Sequence, residues 1–168
     1  FPRLVKNRQR YEPLRVWSIG CSTGEEAYSI AMAFAEFVEL SRLEIPLQIF
    51  ATDLNGAGVE KARAGLYSRT IGQDIAPDRL RRFFFEVDGT YRISKAIRDS
   101  TVFARHNVLT EPPFSRIDLI SCRNLLIYLE PALQQKAMGM MHYALIPHGA
   151  LWLGHSESVG PYRDLFEV

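Results

Sequence analysis

Apolar and polar positions along this chain switch between two periods. Val16-Trp17-Ser18-Ile19 is a short apolar run that predicts a strand buried on both faces. The run breaks at Gly20-Cys21-Ser22-Thr23-Gly24 and resumes at helical spacing. Ala27, Ile30, Ala31, Phe34, Ala35 and Val38 then share one stripe of a helix ending near Leu40–Leu43. The same alternation continues downstream. Residues 47–54 (LQIFATDL), 101–105, 117–122 and 150–153 predict further strands, and residues 58–64 and a long segment opened by Pro131 predict helices. In the long helix the apolar side is Leu133, Ala137, Met140, Met141 and Ala144, with the methionines read as core. Residues 123–129, directly after the fourth strand, are expected to turn straight into a helix. Pro147-His148-Gly149 is expected to be a turn. Between the second and third strands the pattern is less regular: a short basic helix opened by Pro77, then a hairpin around Asp88-Gly89. Residues 1–14 read as a basic, irregular, solvated lead-in closed by Pro13. Strands alternating with helices predict an α/β protein with a mostly parallel sheet, helices on both faces and a small antiparallel insertion at about 84–94.

Composition narrows the class without changing this picture. With 168 residues, 47% apolar and 23% charged, the chain has the balance of one globular domain. A net charge of +1 argues against a broad nucleic-acid footprint. No apolar run approaches the roughly 20 residues of a membrane-spanning helix, so no membrane insertion is expected. The cysteines Cys21 and Cys122 do not make a disulfide framework, which points to a cytoplasmic setting.

The candidate chemistry gathers where predicted strands end. Strand, glycine turn and helix form the first unit of a nucleotide-binding fold. A pyrophosphate would sit on the helix N-terminus, where N–H groups and the helix dipole favour an anion. Here Glu25 and Glu26 occupy the first turn. Two carboxylates repel phosphate and suit a cationic head, as in S-adenosylmethionine; the alternative is that they only complement the helix terminus. Asp53, at the tip of the second strand, has the chemistry to grip ribose hydroxyls or to cap the next helix. Asn107 matches an adenine edge or serves as a turn-former. Arg123 and Asn124 follow the fourth strand, where open α/β sheets place ligands. His106, His142, His148 and His155 show no metal-ligand spacing, and His155 reads as a structural hydrogen-bonder.

Taken together, GCSTGEEAYSIAM, ATDLN, the NVL after the third strand, DLISCRNLLIYL and PHGALWLGHSES resemble the CheR-type chemoreceptor methyltransferases. The wording ARHNVL and RISKAIRDS is similar to methyltransferase modules of hybrid proteins that also carry a methylesterase domain. The resemblance implies a class I (Rossmann-like) methyltransferase domain over residues 15–168. It implies transfer of a methyl group from S-adenosyl-L-methionine to glutamate side chains of chemoreceptor cytoplasmic helices, leaving S-adenosyl-L-homocysteine. Residue by residue, it places cofactor contacts on Gly20, Ser22, Thr23, Gly24, Glu25, Glu26, Asp53, Asn107, Val108, Arg123 and Asn124. It gives Tyr128 a substrate-positioning role, with Arg123 beside it as a catalytic residue. It further implies that residues 1–14 are the connector from an amino-terminal helical domain, and that the framework continues past Val168 into a final hairpin. Family members that tether to a receptor pentapeptide carry a glycine-rich loop in the insertion. Glu86-Val87-Asp88-Gly89-Thr90 has one glycine, so tethering of that kind is not expected.

The reaction needs little from the protein beyond alignment. A glutamate carboxylate is ionised at neutral pH and the sulfonium methyl is activated by its own charge, so no general base is required. In-line geometry and exclusion of water are what the protein supplies. Two rivals share the framework: a domain that senses S-adenosylmethionine without catalysis, and a small-molecule methyltransferase.

Overall fold

The computed structural model describes residues 1–6 and 8–167. Its centre is strand β1 (Leu14–Ile19), flanked by β2 (Leu47–Asp53) and by a strand at Ile117–Cys122. In chain order the remaining strands are β3 (Leu66–Tyr67), β4 (Phe84–Val87), β5 (Thr90–Ile93), β6 (Thr101–Arg105) and, after β7 at Ile117–Cys122, β8 (Leu145–Leu153). The main sheet runs β6-β2-β1-β7-β8 with every pairing parallel. Helices are α1 (Pro2–Val5), α2 (Glu25–Ser41), α3 (Gly56–Ala64), α4 (Pro77–Phe83), α5 (Lys95–Asp99) and α6 (Pro131–Ala144).

Side chains on the central strand alternate between two cores, as strand geometry requires. Val16 packs with Ala27, Ala31 and Phe34 of α2 and with Ile49, Ala51 and Phe103 on one face. Trp17 packs with Ile120 and with Ala137, Met138 and Met141 of α6 on the other. Leu133 is exposed, so the buried stripe of α6 is Ala137, Met138, Met141 and Ala144. The Trp17 indole N–H is satisfied by Thr52 Oγ1 at 2.9 Å.

The hairpin expected around Asp88-Gly89 is present as β4 and β5, and β3 adds a third antiparallel strand in the order β3-β5-β4. Three expectations are corrected. In the amino-terminal segment Arg3, Lys6 and Arg10 are exposed as expected, but Pro2–Val5 is helical, Val5 and Leu14 are buried, and Arg8 pairs with the buried Asp118 of β7. Residues 123–129 do not form a helix; only a 3-10 turn at Leu126–Tyr128 follows β7. Pro147-His148-Gly149 is not a turn before a strand but a bulge inside β8. Ile117 pairs with Leu145 and Leu119 with Ala150, and His148 takes φ +66°.

Register is what builds the site. Ile19 lies opposite Thr52 on one side and Cys122 on the other, and Cys122 lies opposite Leu153. The next residues of these strands, Gly20, Asp53, Arg123 and Gly154, therefore leave the sheet side by side. Asp53 in turn pairs with Arg105, which brings Asn107 to the same edge.

Candidate active site at the carboxyl edge of the sheet

The glycine turn is shaped by sterics at Gly24. Its φ is +93°, and a Cβ there would meet the Ala62 Cβ at 2.9 Å and the Phe103 ring at 3.1 Å. The left-handed backbone and the close approach of α3 both need glycine. The residue caps α2 in this conformation, and Tyr28 N–H donates to its carbonyl at 3.0 Å.

Asp53 does not cap α3. That role belongs to Asn55, whose side-chain oxygen accepts from the Ala57 and Gly58 N–H groups at 3.1 and 3.2 Å. Asp53 instead accepts from Ser22 N–H at 2.8 Å through Oδ2 and from Asn55 N–H at 2.8 Å through Oδ1. The carboxylate thus ties the glycine turn to β2, and with one donor on each oxygen it retains capacity to accept from two hydroxyls.

Glu26 sits across the turn. Its Oε1 accepts from Ser121 Oγ at 2.6 Å, with Ser18 Oγ at 3.5 Å, and its Oε2 lies 3.3 Å from Arg123 Nη1. Both serines are buried, on β7 and β1. They fix one oxygen of Glu26 and leave the other at the cleft. Glu25 is exposed and accepts from Thr23 Oγ1 at 2.6 and 2.8 Å. The two acidic residues thus differ: Glu26 is held from inside the sheet, and among the described residues Glu25 is anchored to its own turn.

Asn107 is half-buried, and its side-chain oxygen accepts from Leu109 N–H at 2.9 Å. It is a turn-former by its oxygen, while its NH2 group has no hydrogen-bond partner among the described residues. Val108 follows it, half-buried on the same edge. Arg123 is held between Glu26 and the ring of Trp152 on β8, with the guanidinium carbon 4.9 Å from the ring centroid. Asn124 takes φ +59°.

Tyr128 departs from expectation. Without a helix from Arg123, it is not stacked one turn beyond Asn124; its 3-10 turn leaves it 78% exposed. Sequence reasoning also passed over Ser18 and Ser121 as partners of Glu26, and Glu157, which binds the backbone after β7. Glu157 was visible in GHSES as an acidic residue just past a strand end. The serines carried no signal except position on apolar strands.

Both thiols of the chain border the site and are buried and unpaired. Burial pushes Cys21 up to about 12, with Asp53 adding to the effect, and burial likewise pushes Cys122 up to about 12. Neither is a nucleophile near neutral pH.

A five-stranded parallel sheet in this order, with a glycine turn into a helix that opens on acidic residues, defines the class I methyltransferase fold. Solved structures of that class superpose on it: DszA carbon methyltransferase with a TM-score of 0.58 at 15% identity, over 96% of this chain and 33% of that one. PKMT2 from Rickettsia typhi, in complex with AdoHcy, gives a TM-score of 0.54 at 15% identity over 91% and 24%.

Within that class, the chain belongs to the CheR methyltransferase family, whose SAM-binding domain model matches residues 1–168. Its cofactor is accordingly S-adenosylmethionine. The chain is 35% identical to chemotaxis protein methyltransferase 1 of Pseudomonas aeruginosa, over 99% of its own length and 62% of that protein. It is 33% identical to the chemotaxis protein methyltransferase of Vibrio parahaemolyticus over 99% and 61%. It is 47% identical over 155 residues to an uncharacterized 104.1 kDa protein from the hypE 3' region of Rhodobacter capsulatus, over 92% of this chain and 16% of that protein. The chain thus spans less than two thirds of these relatives.

Proposed function

We propose that this is the catalytic domain of an S-adenosylmethionine-dependent protein-glutamate O-methyltransferase, acting on chemoreceptor cytoplasmic helices in the cytoplasm. One observation carries the cofactor half of the reading. Glu26 in the first turn of α2 and Asp53 at the end of β2 offer one carboxylate to an ammonium and another to ribose hydroxyls. A phosphate on the same turn would face both charges. Asn107 supplies an NH2 group for the adenine edge, with Val108 against the base. Gly20, Ser22, Thr23 and Glu25 line the turn, and Arg123 and Asn124 close the far side. The substrate half rests on family membership and on the chemotaxis methyltransferases named above.

In this arrangement Glu26, Asp53 and Asn107 would hold the cofactor, and its sulfonium would supply the methyl group. Arg123, next to Glu26, is the cation available to an incoming carboxylate, and Tyr128, exposed at the rim, presents its hydroxyl to a docking helix. The attacking oxygen needs no base, since glutamate is ionised. Alignment and loss of water supply the rate. With a single glycine in the β4–β5 turn, the substrate is met by direct encounter or through other domains of a longer protein, not through a tethered pentapeptide.

Titration calorimetry with S-adenosylhomocysteine tests the site. Asp53→Ala is expected to weaken binding by roughly ten- to a hundredfold, through loss of charge-assisted bonds worth ~1.5–3 kcal/mol. Unchanged affinity would remove Asp53 from the site. In a protein as long as the chemotaxis relatives, label should pass to a receptor cytoplasmic fragment and not to free glutamate. Binding without single-turnover transfer would instead make this a sensing module, and labelling of small metabolites a small-molecule enzyme.

A further inference from the structure

Glu157 belongs to the GHSE stretch after β8, and its carboxylate is saturated by backbone. Oε2 accepts from Gly154 N–H and from Asn124 N–H, both at 2.9 Å. Oε1 accepts from Leu125 N–H at 2.9 Å and from Leu126 N–H at 2.8 Å. An ionised carboxylate offers about four lone-pair sites, and backbone donors fill them. Three of these donors lie in the turn that follows Arg123. The first residue of that turn, Asn124, takes φ +59°, a left-handed conformation that asparagine adopts more readily than most residues with a Cβ. The fourth donor, Gly154, directly follows β8, so one side chain ties the carboxyl ends of β7 and β8 together.

Gly154 fits the same device. A Cβ at this position would lie 2.6 Å from Glu157 Oε2 and 3.4 Å from Asn124 N. Its φ is not in the left-handed region, so it is the seated carboxylate that excludes a side chain there, not the backbone conformation. Trp152, two residues earlier on β8, carries the ring over which Arg123 lies.

We infer that Glu157 is a positioning residue: its carboxylate holds the 123–126 turn in the geometry that presents Arg123 to Glu26 and Asn124 to the cofactor. The inference rests on the cofactor reading above. Glutamine is nearly isosteric but cannot replace it. It has one oxygen for Leu125 and Leu126 and would turn an NH2 group against the N–H groups of Gly154 and Asn124.

The test uses Glu157→Gln and Gly154→Ala in the chain as it stands, with S-adenosylhomocysteine as the probe. Amide hydrogen exchange at Asn124, Leu125 and Leu126 should accelerate by about tenfold or more in each variant. The dissociation constant should rise by about tenfold or more while far-UV circular dichroism stays native. The double variant should be no weaker than the worse single one, since both act through one carboxylate. Acrylamide quenching should change as well, because Trp17 is wholly buried and Trp152 is 46% exposed, so the quencher reads the ring beneath Arg123. Wild-type affinity in a variant whose turn exchanges faster would overturn the inference, as would unchanged exchange. If Glu157→Gln does not fold, the wild type decides: slow exchange at Leu125 and Leu126 without ligand supports the clamp, and exchange that slows only on ligand binding overturns it. A wild type that binds no S-adenosylhomocysteine overturns the cofactor reading, and this inference with it.

Discussion

Tyr128 stands at the rim of the sheet with most of its ring in solvent. A residue so exposed contributes little to packing, so Tyr128→Phe should leave the unfolding free energy within about 0.5 kcal/mol of wild type. If its hydroxyl meets the acceptor carboxylate, the same change lowers turnover by roughly tenfold, a barrier increase of ~1.4 kcal/mol, with cofactor affinity intact. Denaturant melts and steady-state kinetics in the longer protein read the two quantities separately, and undiminished turnover would reduce Tyr128 to a surface tyrosine. The buried thiols make a second prediction. Each has a folded pKa of about 12 against an ordinary value of 9.0, so the unfolded chain loses these protons first as pH rises. Their contribution to stability is full below pH 9 and is lost as pH climbs toward 12, at about 1.4 kcal/mol per pH unit per thiol. Urea melts at pH 8 and pH 10.5 should show a smaller fall for Cys122→Ala than for wild type. Iodoacetamide should leave both thiols unmodified in the folded protein at pH 8; rapid labelling would contradict their burial.

Among the elements, the glycine turn and α2 were the most legible. Apolar spacing, acidic first turn and strand length all pointed one way, and tertiary contacts added to the same answer. Gly24→Ala should cost roughly 2–4 kcal/mol, from the left-handed backbone and the contacts with Ala62 and Phe103, and should weaken cofactor binding with it. Thermal melts showing a shift of under a degree would mean that the turn relaxes freely. The segment 123–129 was misread for an identifiable reason. Its residues have ordinary helical propensity, but the N–H groups of Asn124, Leu125 and Leu126 are taken by Glu157, some thirty residues away in sequence. The Leu126 and Leu129 carbonyls are taken by the Gln134 amide, at 3.0 Å each. Asn124 is also left-handed at φ +59°, which interrupts a right-handed ladder, and what remains is one short turn with 3-10 bonds from Tyr128 N–H to Leu125 and from Leu129 N–H to Leu126. The bulge in β8 was hidden in the same way. Pro147-His148-Gly149 has the composition of a turn, yet a Cβ on Gly149 would lie 3.2 Å from the Ile117 carbonyl, so the strand passes close beside β7 there.

At the scale of the whole molecule, the amino-terminal segment is bound to the foot of the sheet. Arg8 donates to Asp118, with both side chains over nine-tenths buried, and to the Pro13 carbonyl at 2.6 Å. Asp118 also accepts from Arg15 N–H at 2.8 Å. Burial pushes the Asp118 carboxyl above its ordinary range, while the Arg15 amide and the Arg8 guanidinium oppose that shift. Arg8→Ala would leave a buried carboxylate short of its cation, at a cost of about 3 kcal/mol by chemical denaturation. A loss below about 0.5 kcal/mol would mean that water replaces the guanidinium.

What the sequence determined by itself was whatever depends on near neighbours: the strand–turn–helix units, the parallel α/β class, the acidic opening of α2 and the residues that end each strand. Those follow from side-chain period, glycine sterics and the charge of a helix terminus, all set within a few residues. Only the tertiary structure decided how those strand ends line up. The register that opposes Ile19 to both Thr52 and Cys122 brings Asp53 and Arg123 to the same edge of the sheet as the glycine turn that leads to Glu26. The reach of Ser121 into Glu26, of Arg8 into Asp118 and of Glu157 into the turn after β7 was likewise decided there. Such contacts join residues far apart in the chain. Their strength comes from the desolvated geometry in which the partners meet, and no local pattern of residue types encodes that geometry.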